Sequence, residues 1–208
     1  MKRYLATTII ALLAVTPLVA QAPAGWKLRI DRSTSASDPD DAGDIQFMAM
    51  GGGFHAVNPQ AAVYWHPSNS ATGTYSLTGN FTLMKPSGHT NFYGLVFGGS
   101  DLEGPRQSYI YFMVAQDGTW LLKRRDGEAA PTISGPTANA AVRKPDATGK
   151  STNALEVRVF PQTIEYAVNG TVVQSTPKTG QTAKTDGLYG FRVNHLLEVQ
   201  VAGLAVAK

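Results

Sequence analysis

Cysteine is absent from this chain of 208 residues, and charge is scarce. Without cysteine there is no disulfide, no thiol nucleophile and no cysteine-ligated metal, so the core alone must hold the fold. Asp, Glu, Lys and Arg make up only 16% of the residues. The basic triplet Lys123-Arg124-Arg125 is too small for the clustered basic face of a nucleic-acid-binding protein, so we expect no nucleic-acid partner.

Apolar runs long enough to span a bilayer are also missing. The run over residues 5–15 is too short for a membrane anchor. Lys2 and Arg3 precede it, and the small-x-small sequence Ala20-Gln21-Ala22 follows it, which is the order of a bacterial secretory signal peptide. We therefore predict a signal peptide over residues 1–22, export to the periplasm or the extracellular space, and no membrane span after cleavage. Removal of the two basic residues leaves 16 basic and 15 acidic residues, a net charge of +1.

Residues 23–208 predict one all-β domain. We find no convincing amphipathic helix, and short apolar runs recur between Gly, Pro, Asn and Asp, as in a two-sheet antiparallel β-sandwich. The predicted strands cover residues 26–30, 45–50, 61–65, 75–84, 92–97, 109–115, 119–125, 154–160, 163–168, 171–175, 188–193 and 196–205. The segment 126–151 is expected to be a long connection with one short strand near 141–143.

Two dipeptides predict tight hairpins. Asn169-Gly170 and Asp117-Gly118 each separate two apolar runs, and both dipeptides tolerate positive φ at the two central positions of a type I′ turn.

Alternation of side chains predicts which faces are buried. Leu155, Val157 and Val159 alternate with charged residues, so one face of that strand is core and the other is solvated. The runs 92–97 and 109–115 are apolar on both faces. Their outer face forms either an aromatic-lined groove or a layer covered by a long loop, and the sequence leaves both open.

The last third of the chain resembles a known fold family. The segments LEVRVFPQTIEYAVNGTVVQST and DGLYGFRVNHLLEVQVAGLAV are similar to the end of concanavalin A-like (laminin-G-like) jelly-roll domains. There, a strand pair ending in V-N-G-x-x-V precedes a Gly-x-x-Gly strand and a final alternating strand. The resemblance covers roughly residues 75–208 and implies a concanavalin A-like jelly roll. That fold hosts lectins, glycan-binding modules, glycosidases and adhesion domains.

A second resemblance concerns activity. Gly187, Gly190 and His195 follow the Gly-x-x-Gly-strand-His pattern of the secreted 3-keto-disaccharide hydrolase-like family. The chain lacks the N-S-G and E-x-Q strands that this family often shows. The resemblance implies a glycoside-active hydrolase as the alternative function.

The sequence offers no catalytic pair, so we predict no catalytic residues and favour a binding module over an enzyme. Glycosidases use two carboxylates, which in this fold usually share one strand. The nearest motif here, Asp101-x-Glu103, lies in the loop sequence GGSDLEGP, and no G-x-S-x-G elbow occurs.

Sugar recognition requires an aromatic platform with polar side chains around it. The chain supplies these types at His55, Asn58, Tyr64, His66, Asn91, Tyr93, Arg192 and Asn194. We expect Trp65 in the core with Tyr64 and His66 outward, and Arg192 with Asn194 on the face opposite Phe191. These residues predict a non-catalytic carbohydrate-binding module with a glycan as its partner.

The sequence does not decide whether the protein binds a metal ion or which oligomeric state it has. Four carboxylates (Asp38, Asp40, Asp41 and Asp44) are potential Ca²⁺ ligands, although we expect no obligatory cofactor. His55 and His66 flank the Asn58-Pro59 turn and would form a Zn²⁺ pair only if they faced each other across a hairpin. His195 is expected to be structural. Exposed edge strands leave the oligomeric state undetermined.

Overall fold

The computed structural model describes residues 22–33 and 36–208, so the predicted signal peptide lies outside the described residues except for Ala22. Within these two ranges the chain forms fourteen strands and one short 3₁₀ helix, Gly180–Thr182. Among the described residues, no helix is long and apolar enough to cross a membrane.

The strands are β1 (Lys27–Ile30), β2 (Gln46–Met50), β3 (Gly53–Asn58), β4 (Ala62–Ala71), β5 (Tyr75–Lys85), β6 (Phe92–Ser100), β7 (Ser108–Ala115), β8 (Thr119–Asp126), β9 (Thr132–Ala138), β10 (Ser151–Val159), β11 (Thr163–Val168), β12 (Thr171–Pro177), β13 (Gly187–Val193) and β14 (Leu197–Ala207). Most strands follow one another with short connections, and the β1–β2 and β9–β10 connections are longer.

Two seven-stranded antiparallel sheets form the sandwich. Sheet I has the order β1-β4-β13-β6-β7-β8-β9, and sheet II has the order β12-β11-β10-β5-β14-β3-β2. The predicted all-β, two-sheet antiparallel architecture is therefore confirmed, and it is consistent with a jelly roll.

Alternate residues of both sheets meet in one core. Leu155, Val157 and Val159 on β10 are fully buried, as their spacing predicts. Glu156 and Arg158 between them face outward and form an ion pair at 2.6 Å. One end of the core is rich in aromatic rings, so ring stacking and area burial both stabilise it.

Both predicted hairpins are present, but only one has the expected turn. Asn169 and Gly170 have φ of 50° and 83° between β11 and β12, which fits type I′. In the β7–β8 turn Gly118 has positive φ, whereas Asp117 does not. Type I′ is therefore wrong there, and the Asp117 side chain instead accepts hydrogen bonds from Thr119 N and Oγ1 at 3.0 and 2.6 Å.

The strand prediction fails at two places. Strand β9 was not among the predicted runs, and residues 141–143 form a turn rather than a strand. Strands β3 and β4 follow each other but belong to different sheets. Consequently His55 and His66 do not face each other across a hairpin, and the potential Zn²⁺ pair is wrong.

Candidate functional site

The outer face of sheet I carries a second apolar layer. It consists of Val63, Trp65, Val96, Leu102, Tyr109, Tyr111, Met113 and Leu121. Leu102 comes from the β6–β7 loop, and the other members come from β4, β6, β7 and β8. The two-sided apolar strands thus have a second packed face, and Trp65, Tyr109 and Tyr111 are at most 4% exposed. Because these rings are covered, they offer no open aromatic platform.

Arg192 on β13 lies at the edge of this layer. Its guanidinium carbon is 5.4 Å from the ring centroid of Tyr111, and Nη1 donates to the Tyr109 hydroxyl at 3.0 Å. Nη1 also donates to Asp31, and Nε donates to Asn194 Oδ1 at 3.2 Å. A ring face and three oxygens therefore fix a single buried guanidinium.

Asp31, directly after β1, is the anion of this cluster. Besides its ion pair with Arg192, it lies 3.7 Å from Arg125 and 4.0 Å from Arg29. Burial alone would raise the pKa of Asp31, but Arg192 and Arg125 hold that pKa below its usual value. Burial would likewise lower the pKa of Arg192, whereas Tyr109 and Asp31 raise it. Both groups are therefore charged at neutral pH.

A polar cavity of about 240 Å³ opens beside Arg192. Its lining consists of Asp31, Arg32, Ser33, Asp38, Asp40, Ala61, Asn91, Arg125, Arg192, Asn194 and His195. Sites that bury a drug-sized ligand have about 300–1,000 Å³. The smaller volume and the charged lining suit one small, strongly hydrogen-bonding unit.

Histidine and aspartate side chains form one wall of the cavity. His195 Nδ1 is 2.8 Å from Asp40 Oδ1, and His195 Nε2 is 3.1 Å from Asp38 Oδ1. His89 Nε2 is 2.8 Å from the same Asp38 oxygen. These residues lie on the β1–β2, β5–β6 and β13–β14 connections, each of which crosses from one sheet to the other. Among the residues that the structure describes, His89, His195 and Asp38 are the group that could hold a metal.

The β5–β6 loop that carries His89 is tied to the β7–β8 turn. Ser87 N donates to Gln116 Oε1 at 3.0 Å, and Gln116 Nε2 donates to the carbonyls of Ser87 and His89 at 2.8 and 3.1 Å. Thr90 Oγ1 donates to Asp117 at 3.1 Å. These bonds fix the position of His89 although its side chain is exposed.

Three of the predicted ligand-contacting residues come together at this cavity. Asn91, Arg192 and Asn194 all line it. Arg192 and Asn194 lie on the face opposite Phe191, as the alternation of β13 predicts. Their contact with a ligand stays a prediction.

Tyr64 and Tyr93 lie elsewhere, in the core between the sheets. Tyr64 is paired with Phe191, and cross-strand partners point to the same side of a sheet. It therefore stacks on Phe191 with ring centroids 4.7 Å apart. Trp65 takes the outer face, so the expected orientation of Trp65 inward and Tyr64 outward is wrong.

The remaining three predicted residues lie on two sheets, and none of them lines the cavity. Asn58 is buried, and its Oδ1 accepts from the Tyr64 hydroxyl at 2.7 Å. His55 on sheet II pairs with Glu198 at 2.9 Å. His66 lies on β4 of sheet I. These three residues do not form one site, because the consecutive strands β3 and β4 that carry them belong to different sheets.

Sequence reasoning missed Asp31, Arg125 and the meeting of His89 with His195. Asp31 is a single acidic residue at a strand end, and Arg125 belongs to the basic triplet that sequence reasoning considers only for nucleic-acid binding. His89 and His195 are 106 residues apart. Only the pairing of distant strands brings them together, and no local pattern encodes that pairing.

Among the comparisons with known proteins, only the one with solved structures gives matches, and these agree on the fold. No protein-family model matches the chain, and no curated protein matches it in sequence. The carbohydrate binding module CBM66 from Bacillus subtilis superposes with a TM-score of 0.62 at 10% identity, covering 88% of this chain and 96% of that one.

Two further solved structures are similar. A GH16 protein of the Bacteroides ovatus mixed linkage glucan PUL gives a TM-score of 0.57 at 8% identity over 88% of this chain and 94% of its own. A Bacillus subtilis protein with a galectin-like fold gives 0.55 at 16% identity over 87% and 88%. At these identities the likeness establishes the fold alone, and the resemblance to concanavalin A-like jelly rolls is confirmed at that level.

Proposed function

We propose that the protein is an exported, non-catalytic carbohydrate-binding module whose ligand occupies the cavity beside Arg192. One observation carries this proposal: Arg192, Asp31 and Asn194 form a fixed hydrogen-bonded set at the edge of a small polar cavity. Sugars present neighbouring hydroxyls, and paired donors and acceptors on rigid elements are suited to bind them.

The fold comparisons support this assignment. The superposition with the carbohydrate binding module CBM66 covers 96% of that module, so this chain is large enough to form a whole module of that fold. A fold by itself does not specify an activity, and the argument therefore depends on the cavity.

A hydrolase is the second candidate, because three carboxylates (Asp31, Asp38 and Asp40) line the same cavity. Glycoside hydrolysis needs a carboxyl group with a raised pKa as its general acid. The pKa of Asp31 is lowered instead. Asp38 and Asp40 are engaged by histidines. These contacts favour binding over hydrolysis.

A glycan array followed by calorimetry with the best ligand tests the proposal. Arg125→Ala and Asn194→Ala alter the cavity, while Arg158→Ala removes an arginine from the outer face of sheet II as a control. We expect at least a tenfold loss of affinity for both cavity variants and none for the control. Circular dichroism must show that each variant is folded.

The outcomes separate the two candidates. Selective binding without release of reducing sugar supports a non-catalytic module. Binding with turnover of the ligand contradicts the non-catalytic part and favours the hydrolase. The absence of binding at millimolar glycan, with folded protein, contradicts carbohydrate recognition altogether.

Export is part of the proposal and depends on residues 1–22. Cell fractionation of the bacterium expressing the full chain, with the intact mass of the recovered protein, tests it. A mature chain that begins at Pro23 in the periplasm or the medium is the expected result. An uncleaved chain retained in the cytoplasm contradicts it.

A further inference from the structure

We propose that Asp38, His89 and His195 form a binding site for a divalent transition-metal ion, which we assign as Zn²⁺. The argument for this metal site does not depend on the proposed carbohydrate function, although Asp38 and His195 also line the cavity. It starts from three ligand atoms that converge from three separate loops.

The separations of these atoms match the edges of a metal coordination polyhedron. Asp38 Oδ1 is 2.8 Å from His89 Nε2 and 3.1 Å from His195 Nε2, and the two ring nitrogens are 3.3 Å apart. Ligands held about 2.0–2.1 Å from Zn²⁺ are separated by about 3.3 Å in a tetrahedron and by about 2.9 Å at right angles. One ion can therefore contact all three atoms.

Hydrogen bonds alone do not satisfy His89 Nε2. This nitrogen contacts the Asp38 carboxylate, which needs a donor, and Asn91 Nδ2 at 3.0 Å, which is itself a donor. An imidazole nitrogen has either one N–H or one lone pair in the ring plane, so it cannot serve both. A cation accepts the lone pairs of His89 and His195 together and also neutralises Asp38. The Asn91 amide then keeps Ser87 Oγ, 3.3 Å away, as its acceptor.

The surroundings of His195 are those of a metal-bound imidazole. Its ring is 6% exposed, and Nδ1 faces Asp40 Oδ1 at 2.8 Å while Nε2 faces the cluster. Ligating histidines almost always donate their second N–H to a carboxylate or carbonyl, which fixes the tautomer and the ring orientation. Asp40 supplies that carboxylate.

The donor set decides which ion fits. Ca²⁺ and Mg²⁺ take oxygen ligands, whereas two imidazoles and one carboxylate suit first-row transition metals. Divalent affinities place Zn²⁺ above Fe²⁺ and Mn²⁺ but below Cu²⁺ at such a site. Cu²⁺ and Ni²⁺ prefer tetragonal sites, whereas two of the three separations, 3.1 and 3.3 Å, approach the tetrahedral value, which favours Zn²⁺. Three protein ligands also leave a coordination position for water, as in open zinc sites.

The test is Zn²⁺ binding by the purified chain after treatment with EDTA and gel filtration. Competition with a chromogenic chelator measures the affinity, and metal analysis of dialysed protein measures the stoichiometry. We expect one Zn²⁺ per chain. His89→Ala should weaken binding at least tenfold, and Asp40→Asn, which leaves all three ligands in place, by about 10–100-fold. His66→Ala, which removes a histidine bonded to Ser68, is the matched control and should bind as the wild type does.

Three outcomes overturn the proposal: no saturable binding at 100-fold excess of Zn²⁺, equal affinity for the His89→Ala variant, or saturation by Ca²⁺ alone. Because His89 is exposed, its replacement should leave the fold intact, and a circular dichroism spectrum confirms that. Metal affinity is measured without any glycan. Loss of the carbohydrate function therefore leaves this test unaffected.

Discussion

Asp31 and Arg192 lie 161 positions apart in the chain, yet they form an ion pair on the outer face of sheet I. The pair joins the end of edge strand β1 to the C-terminal end of β13, across β4. Asp31 is also close to Arg125 and Arg29, so its removal leaves three guanidinium groups without their shared carboxylate.

Replacement of Asp31 by Asn should lower stability by about 3 kcal/mol, because breaking one side of a buried ion pair leaves the other charge uncompensated. Above the unfolded-state pKa of about 3.9 the carboxylate is charged in both states, and its full contribution is present. As the pH falls through the lower pKa of the folded state, that contribution is lost.

Thermal melts from neutral pH down to about pH 2 measure this effect. The difference in melting temperature between wild type and Asp31→Asn should be largest at neutral pH and should shrink in acid. Asp126→Asn, at an exposed position, is the control. A difference that stays constant with pH contradicts the assigned role of Asp31.

Gly190 is expected to tolerate no side chain. A Cβ there would overlap the carbonyl oxygen of Tyr64 on the neighbouring strand, where the register of β13 shifts. Gly190→Ala should cost about 3 kcal/mol or more, because backbone must move to make room. Gly88→Ala is the matched control, since its Cβ meets no atom within 4 Å. Urea unfolding compares the two, and equal midpoints would contradict the close approach.

Phe191 should be one of the most important core side chains. It stacks on Tyr64 with an interplanar angle of 13° and contacts Trp26, Phe47 and Phe54. Phe191→Ala should destabilise the fold by about 3–5 kcal/mol through lost burial and the cavity it leaves. Val172→Ala, at a position 43% exposed, should cost far less in the same urea experiment. A similar loss in both variants would contradict this.

Asn169 has a role beyond its turn. Its Nδ2 donates to Ala141 O and Asn153 Oδ1 at 2.8 and 2.9 Å, and its Oδ1 accepts from Ala154 N at 2.9 Å. Asn169→Ala should cost about 2–3 kcal/mol, because the partly buried carbonyl of Ala141 and N–H of Ala154 lose their side-chain partner.

Asn169→Gly separates the hydrogen bonds from the turn. Glycine adopts the φ of 50° without strain but cannot make the bonds. Calorimetric melts should place Asn169→Gly close to Asn169→Ala. Recovery of the wild-type melting temperature by glycine would mean that the turn conformation alone matters.

The sequence predicts much of the fold because its signals are local. The alternation of Leu155, Val157 and Val159 and the Asn169-Gly170 turn are each encoded within a few residues, and the structure confirms both. The failure at β9 also has a local cause. This strand contains Gly135 and Pro136, which ordinarily argue against a strand.

The candidate site is less predictable, because it depends on strand register. Phe191 is recognisable as core from the alternation in β13, but only the register reveals that Tyr64 faces the same way. The proximity of His89 and His195 is also not predictable from the sequence, since it depends on the order of strands in two sheets. Side-chain type is readable from sequence, whereas long-range pairing is not.

The three loops around Asp38, His89 and His195 all pass from one sheet to the other. A bridge between these loops therefore links the two layers at one end of the sandwich, outside the apolar core. Apolar contacts resist separation of the layers but have little directionality, whereas coordination bonds have fixed lengths and angles. An ion bound by these three loops would therefore restrain the two sheets from sliding over each other.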